Sequence, residues 1–208
     1  MELIFKREQA LRDLKDRAFL LGSDVCEISQ HVLENKDFAI CSGCSHNGKV
    51  DKPQKHHYGT GGLVCHTWEV VNLCELNRGW FEAKLGKKID EKALFLAALF
   101  HDIGKVFDYK WNLDSDTPDM WISTPHKRNI YHISRSGLIW HDAVKETKKF
   151  EDIHDEVYHA ILAHHGLRDW GSPVMPNTPI AWLLHLCDNM SARMYEAGSF
   201  DALNYTKP

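Results

Sequence analysis

Apolar residues recur at helical spacing along almost the whole chain. Residues 5–21 and 24–35 form amphipathic stretches, the second opening behind Ser23-Asp24, side chains suited to capping a helix N-terminus. Further helices are predicted at about 63–77, 90–102, 129–147, 151–165 and 178–197, the last beginning after Thr178-Pro179, a cap followed by a first-turn proline. One segment stands apart. Ala93-Leu94-Phe95-Leu96-Ala97-Ala98-Leu99-Phe100 is apolar on every side, so its helix is buried rather than laid on a surface. Residues 37–62, with Gly43, Gly48, Pro53, Gly59, Gly61 and Gly62, read as a connecting loop. Residues 108–126 carry three aromatics, several Asp and two Pro, and read as a loop or a short hairpin. No internal repeat or linker breaks the pattern. The expected fold is all-α: a single helical bundle over 37–200, with N-terminal helices over 1–36 packing on it and a tail over 201–208.

Size and composition leave that picture intact. A chain of 208 residues suits one domain with a full core. Its formal net charge of −4 argues against broad nucleic-acid binding through overall charge. The basic clusters Lys49, Lys52, Lys55 and Lys127, Arg128, Arg135 read as solvated surface. No apolar run is long enough to span a bilayer, and Met1 to Arg17 is too charged for a signal peptide. The cysteines (Cys26, Cys41, Cys44, Cys65, Cys74, Cys187) are scattered and read as reduced thiols, so a cytoplasmic location is expected, with no membrane partner. Cys41-x-x-Cys44 with nearby His46 resembles half a structural zinc site, but no second pair completes it. The tryptophans (Trp68, Trp80, Trp111, Trp121, Trp140, Trp170, Trp182) read mainly as packing, with Trp111 and Trp121 in a loop that faces the presumed site and could stack bases.

The chemistry concentrates at the end of the buried helix. His101-Asp102 is followed at once by Ile103-Gly104-Lys105, and Gly104 is expected to stop the helix in a left-handed conformation. A carboxylate at that depth is costly unless something compensates it. The chain holds 14 histidines, and several fall on apolar helix faces or helix ends. His66 lies early on the helix behind Gly61-Gly62, His132 on the apolar side of its helix, and His164-His165 at a helix end before Gly166. Asp188 sits inside the apolar run 181–187 and its continuation. Each taken singly reads as a satisfied core residue. Together, buried imidazoles and carboxylates on facing helices need mutual compensation, and a bundle core is where metal sites are built from facing helices. Mixed His and Asp ligands without thiolate suit Mn, Fe, Ni, Co or Zn. A carboxylate bridging two such ions about 3.5–4 Å apart belongs to phosphoester hydrolysis.

In that order, His66, His101-Asp102 and Asp188 resemble the H…HD…D signature of the HD superfamily of metal-dependent phosphohydrolases. Longer segments are similar to the YhaM-type HD-domain 3′→5′ exoribonucleases. These are Lys55-His56-His57-Tyr58-Gly59-Thr60-Gly61-Gly62-Leu63-Val64-Cys65-His66-Thr67, Ile161-Leu162-Ala163-His164-His165-Gly166 with Trp170-Gly171-Ser172-Pro173, and Leu184-His185-Leu186-Cys187-Asp188-Asn189-Met190-Ser191-Ala192-Arg193. The resemblance covers roughly residues 38–195. It implies an HD-domain bundle with one or two divalent transition metal ions in its core, manganese first among them, and hydrolysis by metal-activated water. It gives His66, His101, Asp102 and Asp188 to one metal, with Asp102 as bridge, and His132 and His164 to a second. His165 becomes a further ligand or a substrate contact. Asp102, Lys105 and Arg135 are the candidate catalytic residues. Lys105 and Arg135 also stand as phosphate contacts, although Lys105 equally reads as a cation complementing a helix end. His56 and His57 are candidate substrate contacts or leaving-group acids, or simply an exposed loop pair.

Two features depart from the exonuclease pattern. The OB-fold that such enzymes carry finds no room in this chain, whose residues 1–36 read as helices, and the glutamate usual before the first ligand is Cys65. The expected substrate is therefore a nucleotide or a short single-stranded nucleic acid. A phosphodiesterase trimming 3′ ends leads, a nucleotide phosphohydrolase is the alternative, and a non-catalytic interaction protein on the same scaffold is the third reading. The sequence leaves the oligomeric state open.

Overall fold

The periodic segments fold as helices in the computed structural model, which describes residues 2–48, 54–114 and 120–198. In chain order they are α1 (Glu2–Leu21), α2 (Ser23–Leu33), α3 (Lys36–Ile40), α4 (Gly62–Leu85), α5 (Glu91–Phe100), α6 (Lys105–Asp108), strands β1 (Tyr109–Trp111) and β2 (Trp121–Ser123), α7 (Pro125–Asn129), α8 (His132–Thr147), α9 (His154–Ala163), a 3₁₀ turn (Arg168–Trp170) and α10 (Pro179–Gly198). The chain is all-α apart from the antiparallel hairpin, which pairs Tyr109 with Ser123 and Trp111 with Trp121. Lys49 and Lys52 of the first basic cluster, and the 201–208 tail, lie outside the described residues.

The apolar run becomes the axis of the molecule. Asp90 caps α5, its side chain accepting the Ala93 amide at 2.9 Å, and every residue from Ala93 to Phe100 is buried. Helices α2, α4, α8, α9 and α10 all pack against it. Burying each large apolar side chain contributes roughly 1.5–3 kcal/mol, which makes this short helix the most heavily invested in the core. Helix α1 lies across α2 and α4, and α10 packs on α4 and α9. No helix of the described residues is long and apolar enough to cross a membrane.

Several boundaries differ from the sequence expectation, each for a local reason. The 37–62 connection begins as a turn of helix, because the Asn35 side chain accepts the amides of Asp37 and Phe38 and lets Phe38 reach the core. Helix α4 continues past residue 77 to Leu85 and stops where Gly86 turns left-handed at φ 62°. The helix expected from 129 starts later, and a short helix precedes it. Helix α7 ends, Tyr131 takes φ 71°, and α8 starts afresh at His132. Gly104 does not end a helix in the left-handed region, since its φ is −61°. It is small because the chain passes against α8: a Cβ there would sit 2.3 Å from the His132 carbonyl oxygen. Trp121, expected in a loop or short hairpin facing the presumed site, is buried and donates its indole N–H to Thr60 Oγ1 at 3.3 Å.

Candidate metal centre

Five helices deliver polar side chains to one point. His66 lies in the first turns of α4, His101 and Asp102 follow α5, His132 opens α8, His164 and His165 follow α9, and Asp188 sits within α10. Helix ends explain part of the placement. The last carbonyls of a helix have no intrahelical donor, and two of them hold imidazoles here. His101 Nδ1 donates to the Ala98 carbonyl and His164 Nδ1 to the Ile161 carbonyl, each at 2.7 Å. A carbonyl only accepts, so each ring carries its proton on Nδ1 and turns a bare Nε2 inward.

The inward atoms surround Asp102. On the Oδ2 side, His66 Nε2 and His101 Nε2 each stand 3.3 Å away, 3.4 Å from one another, and Asp188 Oδ1 lies 3.0 Å from His66 Nε2. On the Oδ1 side, His132 Nε2 is 3.4 Å away and His164 Nε2 3.6 Å, and the ligand atoms of His132, His164 and His165 lie close enough together to hold one ion. His66, His101 and Asp102 form a second group of that kind. Asp102 thus presents one oxygen to each half. Its Oδ1, His132 Nε2 and His164 Nε2 are buried without a hydrogen-bond partner. Asp102 Oδ2 also lacks an aligned partner, although Lys105 Nζ approaches to 2.6 Å as an ion pair.

A further layer of hydrogen bonds fixes the ligands. His132 Nδ1 donates to Asp108 Oδ2 at 2.9 Å, and the other Asp108 oxygen is held by His126 at 2.7 Å. His66 Nδ1 is 3.1 Å from Ser191 Oγ, which donates to Glu69 Oε2 at 2.9 Å. The same Glu69 oxygen accepts from His57 Nε2 at 3.0 Å. Such partners orient a ligating imidazole and raise its basicity.

Burial and neighbouring charges hold His101, His132, His165, Asp102 and Asp188, but not His66, in the form a metal takes. Burial pulls His101 down and holds His132 at about 4 and His165 at about 3, so these rings are neutral. Burial also acts on His66, but the carboxylates of Asp102 and Asp188 outweigh it and raise its pKa. Desolvation opposes ionisation of Asp102 and Asp188, yet the Lys105 ammonium beside the first, and His66 beside the second, keep both carboxyls below their usual range. Lys105 is buried, and Asp102 holds its ammonium charged. Neutral imidazoles and ionised carboxylates are the forms that bind a metal.

Over the cluster opens a cavity of about 180 Å³, lined by His56, Lys105, His165, Trp170, Asp188 and Arg193 among others. His56 and His57 are therefore not an exposed loop pair. Their Nδ1 atoms lie 3.2 Å apart, and the His57 ring centroid is 5.0 Å from that of His66. Arg135 is placed elsewhere. It donates to His126 Nε2 at 3.2 Å and lies over the Phe107 ring, on the outer side of Asp108. One turn of helix from His132 puts it on the face that meets α6 and α7, away from Asp102. Cys41 Sγ and Cys44 Sγ point at different carbonyls, of Lys105 and His56, and burial pushes their thiols up to about 12 and about 11. Among the described residues, the groups able to hold a metal contain no cysteine.

Sequence reasoning missed Asp108, Glu69 and Ser191. A signal existed for the last two, which stand three residues beyond His66 and Asp188 on the same helices and so share their faces. Asp108 ends a four-residue helix, too short to show a period. Glu69, one turn after Cys65 on α4, brings a carboxylate to His57 and Ser191.

Comparison with known proteins adds an independent line. A family model described as the HD domain matches residues 63–193. The chain is 30% identical over 144 residues to the 3′-5′ exoribonuclease YhaM of Shouchella clausii (strain KSM-K16), an alignment covering 68% of this chain and 41% of that relative. The chain spans less than half the length of this curated relative. No solved structure matches it.

Proposed function

Because the chain belongs to the HD domain family, we propose that it is a metal-dependent phosphodiesterase that removes nucleotides from the 3′ ends of single-stranded nucleic acid. The observation that carries the reading is the trio of buried acceptors Asp102 Oδ1, His132 Nε2 and His164 Nε2, which face one another without a donor. A water molecule has only two hydrogens to offer three lone pairs, whereas a cation satisfies all of them. With the His66–His101–Asp188 half on the other oxygen, Asp102 is suited to bridge two ions. Mixed His and Asp ligands without thiolate fit manganese or a related divalent transition metal. Bound there, such ions activate water near neutral pH and neutralise charge at phosphorus.

The chain's own residues do the rest. Lys105, buried on the cavity wall, brings a fixed positive charge to a non-bridging phosphate oxygen. His56 and His165 line the same cavity, and His165 is held in place by its Nδ1 bond to the Trp170 carbonyl at 2.7 Å. His57 reaches His66 through Glu69 and Ser191, so the loop that admits substrate is tied to a metal ligand. The similarity to a 3′-5′ exoribonuclease supports a nucleic-acid end as substrate. The formal net charge of −4 favours a second reading, hydrolysis of free nucleotides.

The test is a substrate screen with Mn²⁺: bis(p-nitrophenyl) phosphate, a 5′-labelled single-stranded oligonucleotide, and nucleoside mono- and triphosphates. Diester hydrolysis with a ladder shortening from the 3′ end is expected. Phosphate release from nucleotides with no diester cleavage would move the assignment to the second reading. Asp102→Ala should lower the rate by more than the roughly 10–100-fold that losing a hydrogen-bond partner of a ligand costs.

A further inference from the structure

The cavity above the cluster is polar on most of its wall, with one conspicuous exception. Trp170 lines it and is 51% exposed. Trp140, by contrast, is fully buried with its N–H on the His154 carbonyl, and Trp121 is in the core. An exposed indole is ordinary on a surface, but this one stands on a turn built to keep it still. The Trp170 backbone N–H donates to the Leu167 carbonyl at 3.0 Å, and its backbone carbonyl accepts from His165 Nδ1 at 2.7 Å. The turn is wedged on both sides. Gly166, at φ 82°, passes so close to His185 that a Cβ would lie 2.4 Å from the ring, and Gly171, at φ 100°, would put one 2.9 Å from the Tyr131 ring. The Trp170 ring meets His185 only loosely, with centroids 6.4 Å apart. The side chain is otherwise half exposed and lines the cavity.

The cavity is an open cleft, with Lys105 on its buried wall and the half-exposed Trp170 where it meets solvent. A phosphate drawn in by Lys105 therefore leaves the attached base at the rim. We propose that Trp170 is the platform on which the 3′-terminal nucleobase stacks, so that the site selects an unpaired terminal nucleotide by its π-face and not by its base edges. This inference rests on the phosphodiesterase reading of the same site. A paired end is excluded because its last base must leave the duplex before it can lie on the indole. Stacking of this kind tolerates every base, because each has a π-face.

Two 5′-fluorescein-labelled single strands test the idea, identical except that the last residue of one is abasic. Binding is read by fluorescence anisotropy with the full chain and no added metal, and bis(p-nitrophenyl) phosphate hydrolysis is measured with Mn²⁺ in parallel. Wild type should bind the base-ended strand about tenfold more tightly, as one base–aromatic stack would give. Trp170→Ala should erase the difference and Trp170→Phe should keep most of it, with melting curves confirming that both fold. Equal affinities in wild type, no binding of either strand, or an undiminished preference in Trp170→Ala would each overturn the proposal. Diester hydrolysis without any base preference leaves the phosphodiesterase reading standing and removes Trp170 from it. A base preference in a protein inert to the diester sinks that reading and leaves the platform.

Discussion

Asp108 shows how far the cluster reaches beyond its ligands. One carboxylate holds the His132 ring at 2.9 Å, accepts the His132 backbone N–H at 3.2 Å and takes His126 on its other oxygen. It also anchors a strained corner: Tyr131, immediately before His132, sits at φ 71° and ψ 144°, a region that costs a residue with a Cβ about 1–3 kcal/mol. His57, at φ 52°, is the other site residue in the left-handed region, and Glu69 holds its ring. Of the four non-glycine residues at positive φ among those described, these two thus lie beside a ligand and next to a carboxylate contact. Asp108→Ala is expected to weaken metal binding by about 10–100-fold, measured by calorimetric titration of Mn²⁺. Arg135→Ala, one contact further out on His126, should cost less than Asp108→Ala. If Arg135→Ala costs as much or more, Arg135 acts on the site directly and not through His126.

At the scale of elements, what the sequence disclosed depended on whether the signal was local. The α5 run declares itself, because a helix apolar on all sides has only one place to go, and the ligand positions on α4, α8, α9 and α10 follow from apolar periodicity around a histidine or aspartate. The break between α7 and α8 was not legible, since Tyr131 carries no turn residue's signature and Asp108, which accepts the His132 amide, comes from a different segment. The small residue at 104 was legible but misread: sequence offers the left-handed stop as the usual reason for a glycine there, whereas the reason is the approach of α8. That approach also governs the site, because the atom a methyl group would strike is the carbonyl of His132. Gly104→Ala should therefore destabilise the fold by about 1–3 kcal/mol as an overpacking change, read as a lower urea midpoint with an unchanged slope. It should weaken Mn²⁺ binding as well, because α8 can yield only by carrying His132 with it. A variant with normal stability and normal metal binding would show that the helices have slack the packing does not suggest.

Across the whole molecule, five helices converge on charges that an apolar core would otherwise expel. The cluster balances these without outside help: two ionised carboxylates, Asp102 and Asp188, face the Lys105 ammonium and a His66 that they keep basic. The metal-free protein should consequently remain folded rather than collapse to a chelator-denatured state. What a metal adds is binding free energy available only to the folded chain, about 2.7 kcal/mol when the free ion stands at a hundred times its Kd. For a domain of this size each kcal/mol moves the melting temperature by about 2–4 °C, so chelation should lower it by roughly 5–10 °C while leaving one cooperative transition. Differential scanning calorimetry with excess Mn²⁺ and with EDTA decides the matter. An unchanged Tm at saturating Mn²⁺ means that the trio around Asp102 Oδ1 holds no ion. Complete loss of the transition in EDTA means instead that the Lys105 and His66 charges do not suffice to balance the core, and that the metal is needed to bring α5, α8 and α9 together.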